Sequence, residues 1–125
     1  MKRKPVVLIV EDNADTSQVM ALLLGIEGVY IVTASNGFDG LEKCRTDKPD
    51  LIISDIMLPG MDGIEMIKTL RADTDCSKVP VVVYTGYAQE LAGVAIAAGA
   101  SAVICKTEAP ELLLNMVKGL LAGTQ

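Results

Sequence analysis

The 125-residue chain contains no histidine and no tryptophan. Without histidine it cannot build a Ser-His or Cys-His nucleophile, and it lacks the commonest ligand of zinc and copper sites. A reaction that needs an imidazole has to borrow it from a partner. Aromatic residues are scarce (Phe38, Tyr30, Tyr84 and Tyr87), so the core has to be aliphatic. The three cysteines, Cys44, Cys76 and Cys105, are odd in number and widely spaced, which fits neither a disulfide framework nor a zinc motif. Buried thiols in a reducing cytosol are the plain reading, and the expected location is cytoplasmic. Bases are outnumbered by acids, 11 to 16, for a net charge of −5. That balance argues against direct nucleic-acid binding, which needs clustered Lys and Arg. The one basic cluster, Lys2-Arg3-Lys4, precedes an apolar run, Val6 to Val10, that stops at Glu11-Asp12. A signal peptide needs an apolar region of about 7–15 residues, so this run is too short. No stretch approaches the roughly 20 apolar residues of a membrane span, and no membrane insertion is expected.

What is present describes one globular unit. Half of the residues are apolar, and the length is that of a single domain. Five short runs rich in β-branched residues recur: Val6–Val10, Tyr30–Thr33, Leu51–Ser54, Val81–Tyr84 and Ala102–Cys105. Four are almost uninterrupted apolar stretches, as strands buried on both faces of a parallel sheet should be. Between them lie segments with helical spacing. The first carries Val19, Leu22, Leu23 and Ile26 as one stripe before Gly28. The second carries Phe38, Leu41 and Cys44 and ends before Pro49. The third opens at Asp62, with Glu65 in capping-box spacing, and continues through Ile64, Ile67 and Leu70. A fourth holds Leu91, Val94 and Ala98 and ends at Gly99. The fifth starts near Pro110 and runs through Leu113, Met116, Val117 and Leu120. Strand and helix alternate five times, the signature of a doubly wound α/β sheet with helices on both faces. The expectation is one domain over residues 1–125, with no output domain.

In open α/β sheets ligands gather at the carboxyl ends of the strands. Strand one ends in Glu11-Asp12, strand three in Asp55, strand four in Thr85 and strand five in Lys106. Each has an ordinary explanation when read singly. Glu11 is a turn or cap residue, Asn13 or Asp15 caps helix one, Thr85 leaves a strand, and Lys106 is a solvated surface lysine. Asp55 is harder to dismiss, because an acid set inside apolar surroundings needs a partner. Three carboxylates converging on one edge repel unless a cation sits among them. Oxygen ligands without histidine or paired cysteine point to a hard cation, and magnesium fits best. A carboxylate beside a metal and a lysine can attack phosphorus to form an acyl phosphate. In that arrangement Lys106 would hold the phosphoryl oxygens and Thr85 would donate to one of them.

The segments Val6–Asp12, Leu51–Gly63 (LIISDIMLPGMDG), Val81–Gly86 and Val103–Lys106 resemble, in order and spacing, the response-regulator receiver family. The resemblance covers essentially the whole chain. It implies a flavodoxin-like sheet with strand order 2-1-3-4-5, and Asp55 as the phosphoacceptor. It implies that Glu11, Asp12, Asp55 and the Met57 backbone carbonyl hold magnesium, and that Thr85 and Lys106 sense the phosphoryl group. The implied partners are a sensor histidine kinase or histidine phosphotransfer protein upstream and an effector protein downstream. Such a domain is not an enzyme in the usual sense; it catalyses transfer to its own aspartate and the slow hydrolysis that follows.

Two positions depart from the family pattern. Thr107 follows Lys106 where the family usually has proline, so a trans bond or a strained one is expected there; Thr107 capping helix five is the plain alternative. Val103 stands where the family has Tyr or Phe, leaving Tyr84 and Tyr87 as the aromatic candidates for that role. Met57 and Tyr87, two residues after Asp55 and Thr85, offer no acid or amide to orient water, so slow self-dephosphorylation is expected. The alternative function is a receiver-like scaffold that binds partners independently of phosphorylation. An aspartyl-phosphate phosphatase would want an acid where Met57 stands. A flavin protein would want a phosphate loop where Glu11-Asp12 would repel the ligand.

Overall fold

A computed structural model describes residues 3–25 and 28–123. The expectations placed on Lys2 and Ile26 lie outside the described residues. Five strands, β1 (Val6–Val10), β2 (Tyr30–Ala34), β3 (Leu51–Ser54), β4 (Val81–Thr85) and β5 (Ala102–Cys105), form one parallel sheet in the order 2-1-3-4-5. The helices are α1 (Ala14–Gly25), α2 (Gly37–Asp47), α3 (Gly63–Ala72), α4 (Ala88–Ala98) and α5 (Pro110–Gly123). This is the doubly wound architecture expected from the alternation. Two aliphatic clusters lie on opposite faces of the sheet. One holds Leu8, Val10, Ile52, Val81 and Val83 with side chains of α2, α3 and α4; the other holds Val7, Ile9, Leu51, Ile53 and Val82 with α1 and α5. The alternation of neighbours along β1, β3 and β4 between the two clusters is the period-2 geometry of strands covered on both sides.

Local signals place the helices. The Asp62 side chain accepts the Glu65 N–H at 2.9 Å and opens α3, as its spacing suggested. Asn13 caps α1 in the same manner through the Thr16 N–H, at 2.9 Å. Gly99, with φ of 119°, closes α4 in the left-handed region where a side chain would be strained. Thr107 does not cap α5: that helix begins at Pro110, and the Thr107 hydroxyl instead pairs with Cys105 Sγ at 3.0 Å. No peptide bond among the described residues is cis, so the Lys106–Thr107 bond is trans.

The stripe expected on α1 is out of phase. Val19 and Leu22 are 55% and 73% exposed, and the helix turns Met20 and Leu24 inward. Residues 20–24 are all apolar, so several phases satisfy a three-to-four spacing and only the packed sheet selects one. On α2 and α4, likewise, Phe38 and Val94 face outward while Leu41, Cys44 and Ala95 are buried.

Arg71, at the end of α3, is the main polar strut outside the strand ends. Its guanidinium donates to the carbonyls of Gly99 (3.0 and 2.8 Å), Ser77 (3.2 Å) and Val79 (2.7 Å), joining the loop before β4 to the one before β5. Replacing it with Ala leaves those carbonyls without their charged donor, and by denaturant unfolding the loss is expected at about 2–4 kcal/mol. Lysine is not expected to restore it, having no planar fork to reach all three carbonyls.

Near the opposite end of the sheet, Asp50 accepts from Arg3 and from the Val6 N–H, the latter at 2.8 Å. The Arg3 hydrogen bond, joined by that of Val6 and opposed by burial, holds the Asp50 carboxyl below its usual range. A carboxyl depressed in the folded state stabilises fully above its unfolded value of about 3.9, and that contribution fades as pH falls through the folded value. Urea midpoints measured from pH 7 down to about 3 should therefore fall less steeply for Asp50→Asn than for the unmodified chain.

Candidate phosphoacceptor site at the strand ends

The parallel order brings the carboxyl ends of β1, β3, β4 and β5 side by side. Glu11 and Asp55 directly follow β1 and β3, which are neighbours in the sheet. The Glu11 N–H donates to Ala34 O at 3.0 Å, and the Asp55 N–H donates to Val10 O at 3.1 Å, so the ladder extends one residue into the site. Both side chains are buried, at 4% and 8% exposure. Lys106 reaches them from the end of β5. Its Nζ donates to Glu11 Oε1 at 2.6 Å and to Asp55 Oδ2 at 2.7 Å. The isolated surface lysine considered above is thus excluded; Lys106 is the counter-charge for two buried acids.

The other Asp55 oxygen is held by the backbone. Oδ1 accepts the N–H of Ile56 at 2.7 Å and of Met57 at 3.3 Å. The carboxylate plane is set by three donors, one of them charged. Ser54 supports the loop from beneath, its hydroxyl donating to Asp55 O at 2.7 Å. Sequence reading passed over Ser54 and these amides; the available signal for Ser54 was a hydroxyl ending an otherwise apolar strand. Glu11 has both roles considered for it, because its Oε2 also accepts the Asn13 N–H at 3.2 Å and shapes the turn into α1.

Thr85 is fully buried at the end of β4, and the Lys106 N–H donates to its carbonyl at 3.0 Å. Its hydroxyl accepts the Tyr87 N–H at 3.2 Å. Tyr87 therefore stays tied to Thr85, with its ring exposed. Tyr84 packs on the α1–α5 face, whereas Val103 packs with the cluster on the other face. Tyr84 lies on the wrong side of the sheet to replace the family's aromatic ring at Val103. Asp12 is exposed beside Glu11, and Met57 is exposed on the loop after β3.

The electrostatics follow from burial and pairing. Burial pushes the Glu11 carboxyl up, and the Lys106 hydrogen bond opposes this without overcoming it. Burial alone would lower the Lys106 ammonium, but its bonds to Asp55 and Glu11 prevail and raise it. One ammonium therefore leaves the buried acids short of positive charge. The donors are all oxygens, which suits a hard divalent cation. Among the described residues no three His, Cys, Asp or Glu side chains are already gathered closely enough to hold an ion; the Lys106 ammonium lies between two of the three acids.

A family model described as the response regulator receiver domain matches residues 7–118. The chain is 32% identical over 118 residues to Protein PilH of Pseudomonas aeruginosa, covering 94% of this chain and 98% of that protein. It is 42% identical over 87 residues to hybrid signal transduction histidine kinase D of Dictyostelium discoideum, covering 70% of this chain but only 6% of the kinase. The chain thus spans nearly all of one relative and a small fraction of the other. Among solved structures, chemotaxis response regulator CheY4 of Vibrio cholerae superposes with a TM-score of 0.85 at 27% identity, covering 94% of this chain and 99% of that one. The receiver domain of a sensor histidine kinase from Pseudomonas aeruginosa PAO1, with a magnesium ion coordinated in its active site cleft, shares the fold at a TM-score of 0.88 and 22% identity, covering 96% and 99%. No described helix is long and apolar enough to cross a membrane. The matched span includes Glu11, Asp55, Thr85 and Lys106, and the chain belongs to the response regulator receiver domains of two-component signalling.

Proposed function

We propose that Asp55 accepts a phosphoryl group from a phosphohistidine on a partner, a sensor histidine kinase or histidine phosphotransfer protein, and that the change controls binding of an effector protein. The observation that carries this reading is the double engagement of Asp55. A buried carboxylate is fixed on one oxygen by two backbone N–H groups and bound on the other by an ammonium. That geometry leaves a carboxylate oriented and supplied with the cationic donor that phosphoryl oxygens need. It also favours phosphorylation over a passive scaffold, which has no use for a buried acid pair held at the sheet edge.

In the reaction a P–O bond forms at an Asp55 oxygen as the P–N bond to the donor imidazole breaks, and the ring nitrogen leaves with the electron pair. Lys106 then shares its N–H donors with the phosphoryl oxygens, and the buried Thr85 hydroxyl donates to one of them. Glu11, Asp12, Asp55 and the Met57 carbonyl are the residues proposed to hold magnesium, which when bound would neutralise charge on the transferring group. Catalysis is confined to this self-modification and the slow hydrolysis that follows, in the cytoplasm.

The test is intact mass after incubation with acetyl phosphate, with and without magnesium, followed by peptide mapping. One phosphoryl adduct, dependent on magnesium and located at Asp55, is expected. Exposed Met57 and Tyr87 present no acid or amide to an attacking water, so the adduct should persist well beyond seconds. An adduct elsewhere, or one lost within seconds, contradicts the respective part of the proposal.

A further inference from the structure

Each of the two amides that grip Asp55 Oδ1 belongs to a peptide group whose carbonyl is held in turn. The Met57 N–H, 3.3 Å from Oδ1, shares its peptide with Ile56 O, which accepts the Gly63 and Leu58 N–H groups at 2.8 and 3.0 Å. The Ile56 N–H, the closer donor at 2.7 Å, shares its peptide with Asp55 O. That carbonyl lies beyond the end of β3 and takes its hydrogen bond from the Ser54 hydroxyl at 2.7 Å. It also abuts α3, where a Cβ at Gly63 would stand 2.4 Å away. Ser54 is 1% exposed and lies between Val10 of β1 and Val83 of β4, both fully buried. A hydroxyl costs stability in such apolar surroundings unless it is bonded, so packing of the strand does not by itself call for one.

We propose, with Asp55 as the phosphoacceptor argued above, that Ser54 is a positioning residue for phosphoryl transfer, acting on the carboxylate through the Asp55–Ile56 peptide. The peptide is planar, so its C=O and N–H turn together. A hydroxyl that fixes the oxygen therefore fixes the direction in which the Ile56 N–H meets Oδ1. Donation to the carbonyl oxygen also draws electron density from the amide nitrogen and makes its N–H the stronger donor. Both effects hold Oδ1, so the carboxylate meets phosphorus in one orientation. A serine that merely filled the strand would bond whichever carbonyl lay in reach and leave the rate of transfer untouched.

The test compares the unmodified chain with Ser54→Ala, Ser54→Thr and Ser54→Val, each phosphorylated by acetyl phosphate with magnesium and followed by intact mass. Threonine and valine add the same bulk at this position and differ only in the hydroxyl. Ser54→Ala is expected to react about five- to tenfold more slowly, the factor one neutral hydrogen bond can supply, and Ser54→Val to lag Ser54→Thr by a similar ratio. In proton–nitrogen NMR spectra of the unphosphorylated proteins, the Ile56 amide proton should move upfield in Ser54→Ala as its hydrogen bond weakens. The Thr16 amide, bonded to the Asn13 cap, should keep its position. Where the bulkier side chains do not fold, the alanine variant and its Ile56 resonance decide. An unmoved Ile56 resonance, or equal rates for Ser54→Thr and Ser54→Val when both fold, overturns the proposal. A normal adduct at Asp55 with equal rates for the unmodified chain and Ser54→Ala overturns the role of Ser54 alone. No adduct on the unmodified chain, or one mapped away from Asp55, overturns the acceptor itself and with it any task for Ser54 in transfer.

Discussion

An Asp55→Asn chain incubated with magnesium and acetyl phosphate should take up no phosphoryl group, while remaining folded. The amide cannot act as the nucleophile that the carboxylate provides, and no nearby acid is held as Asp55 is. Glu11 bonds to Lys106 and to the Asn13 N–H, but it lacks the paired amides that grip Asp55 Oδ1. The substitution should leave stability unchanged or raised. Asp55 adds to the repulsion that elevates the Glu11 carboxyl, after the larger effect of burial, and the neutral side chain removes it. Lys106 keeps Glu11 as a partner, so no buried cation is stranded. Mass spectrometry and urea unfolding on the same sample separate the two outcomes. A phosphoryl adduct on the variant, at Glu11 or Asp12, would assign the acceptor elsewhere; an unfolded variant would mean that Asp55 has a structural role the contacts do not explain.

A large stability effect is expected at Gly63, the first residue of α3. A Cβ added there would stand 2.4 Å from Asp55 O and 2.7 Å from Ile56 Cα. Both neighbours are backbone, and the Gly63 N–H donates to Ile56 O at 2.8 Å, so the helix start cannot slide away without losing that bond. Gly63→Ala should therefore destabilise by about 2–4 kcal/mol, toward the upper range of overpacking in a close-packed site. The displacement falls on the peptide that orients the Asp55 carboxylate, so the rate of phosphorylation by acetyl phosphate should fall as well. Gly93→Ala supplies the contrast. That glycine lies inside α4 with nothing within 4 Å of a new Cβ, and alanine there should stabilise by roughly 0.5–1 kcal/mol. Equal effects at the two positions would mean that general helix propensity, and not the close approach at Gly63, governs the outcome.

The sheet and the groups at its edge were legible because both depend on short-range signals. Apolar runs of four or five residues, each ended by a charged or hydroxyl residue, leave few alternatives in an alternating chain. Asp62, Asn13 and Gly99 mark helix ends by the hydrogen bonds and backbone angles those residue types favour. The phase of α1 was not legible, since an unbroken apolar stretch from Met20 to Leu24 has no polar residue to mark its outer side. Phe38 was expected inside because it is large and apolar; Gly37 and Gly40, which are small, take the buried positions of that turn instead. At the site, residue types disclosed Asp55, Glu11 and Lys106. They could not disclose that one lysine serves both acids, because the residues lie 51 and 95 positions from Lys106 in the chain. The backbone amides on Asp55 Oδ1 carry no side-chain signature at all.

Lys106 joins β5, the last strand of the sheet, to acids on β3 and β1, reaching past β4. An ammonium has three N–H donors, so any anion added to Asp55 competes with Glu11 for a fixed supply. Gain of the new group and loosening of β1 from β5 then become a single exchange. An outer strand held to the centre of the sheet in this way can register a covalent change two strands away, while the strand between them keeps its ladder intact.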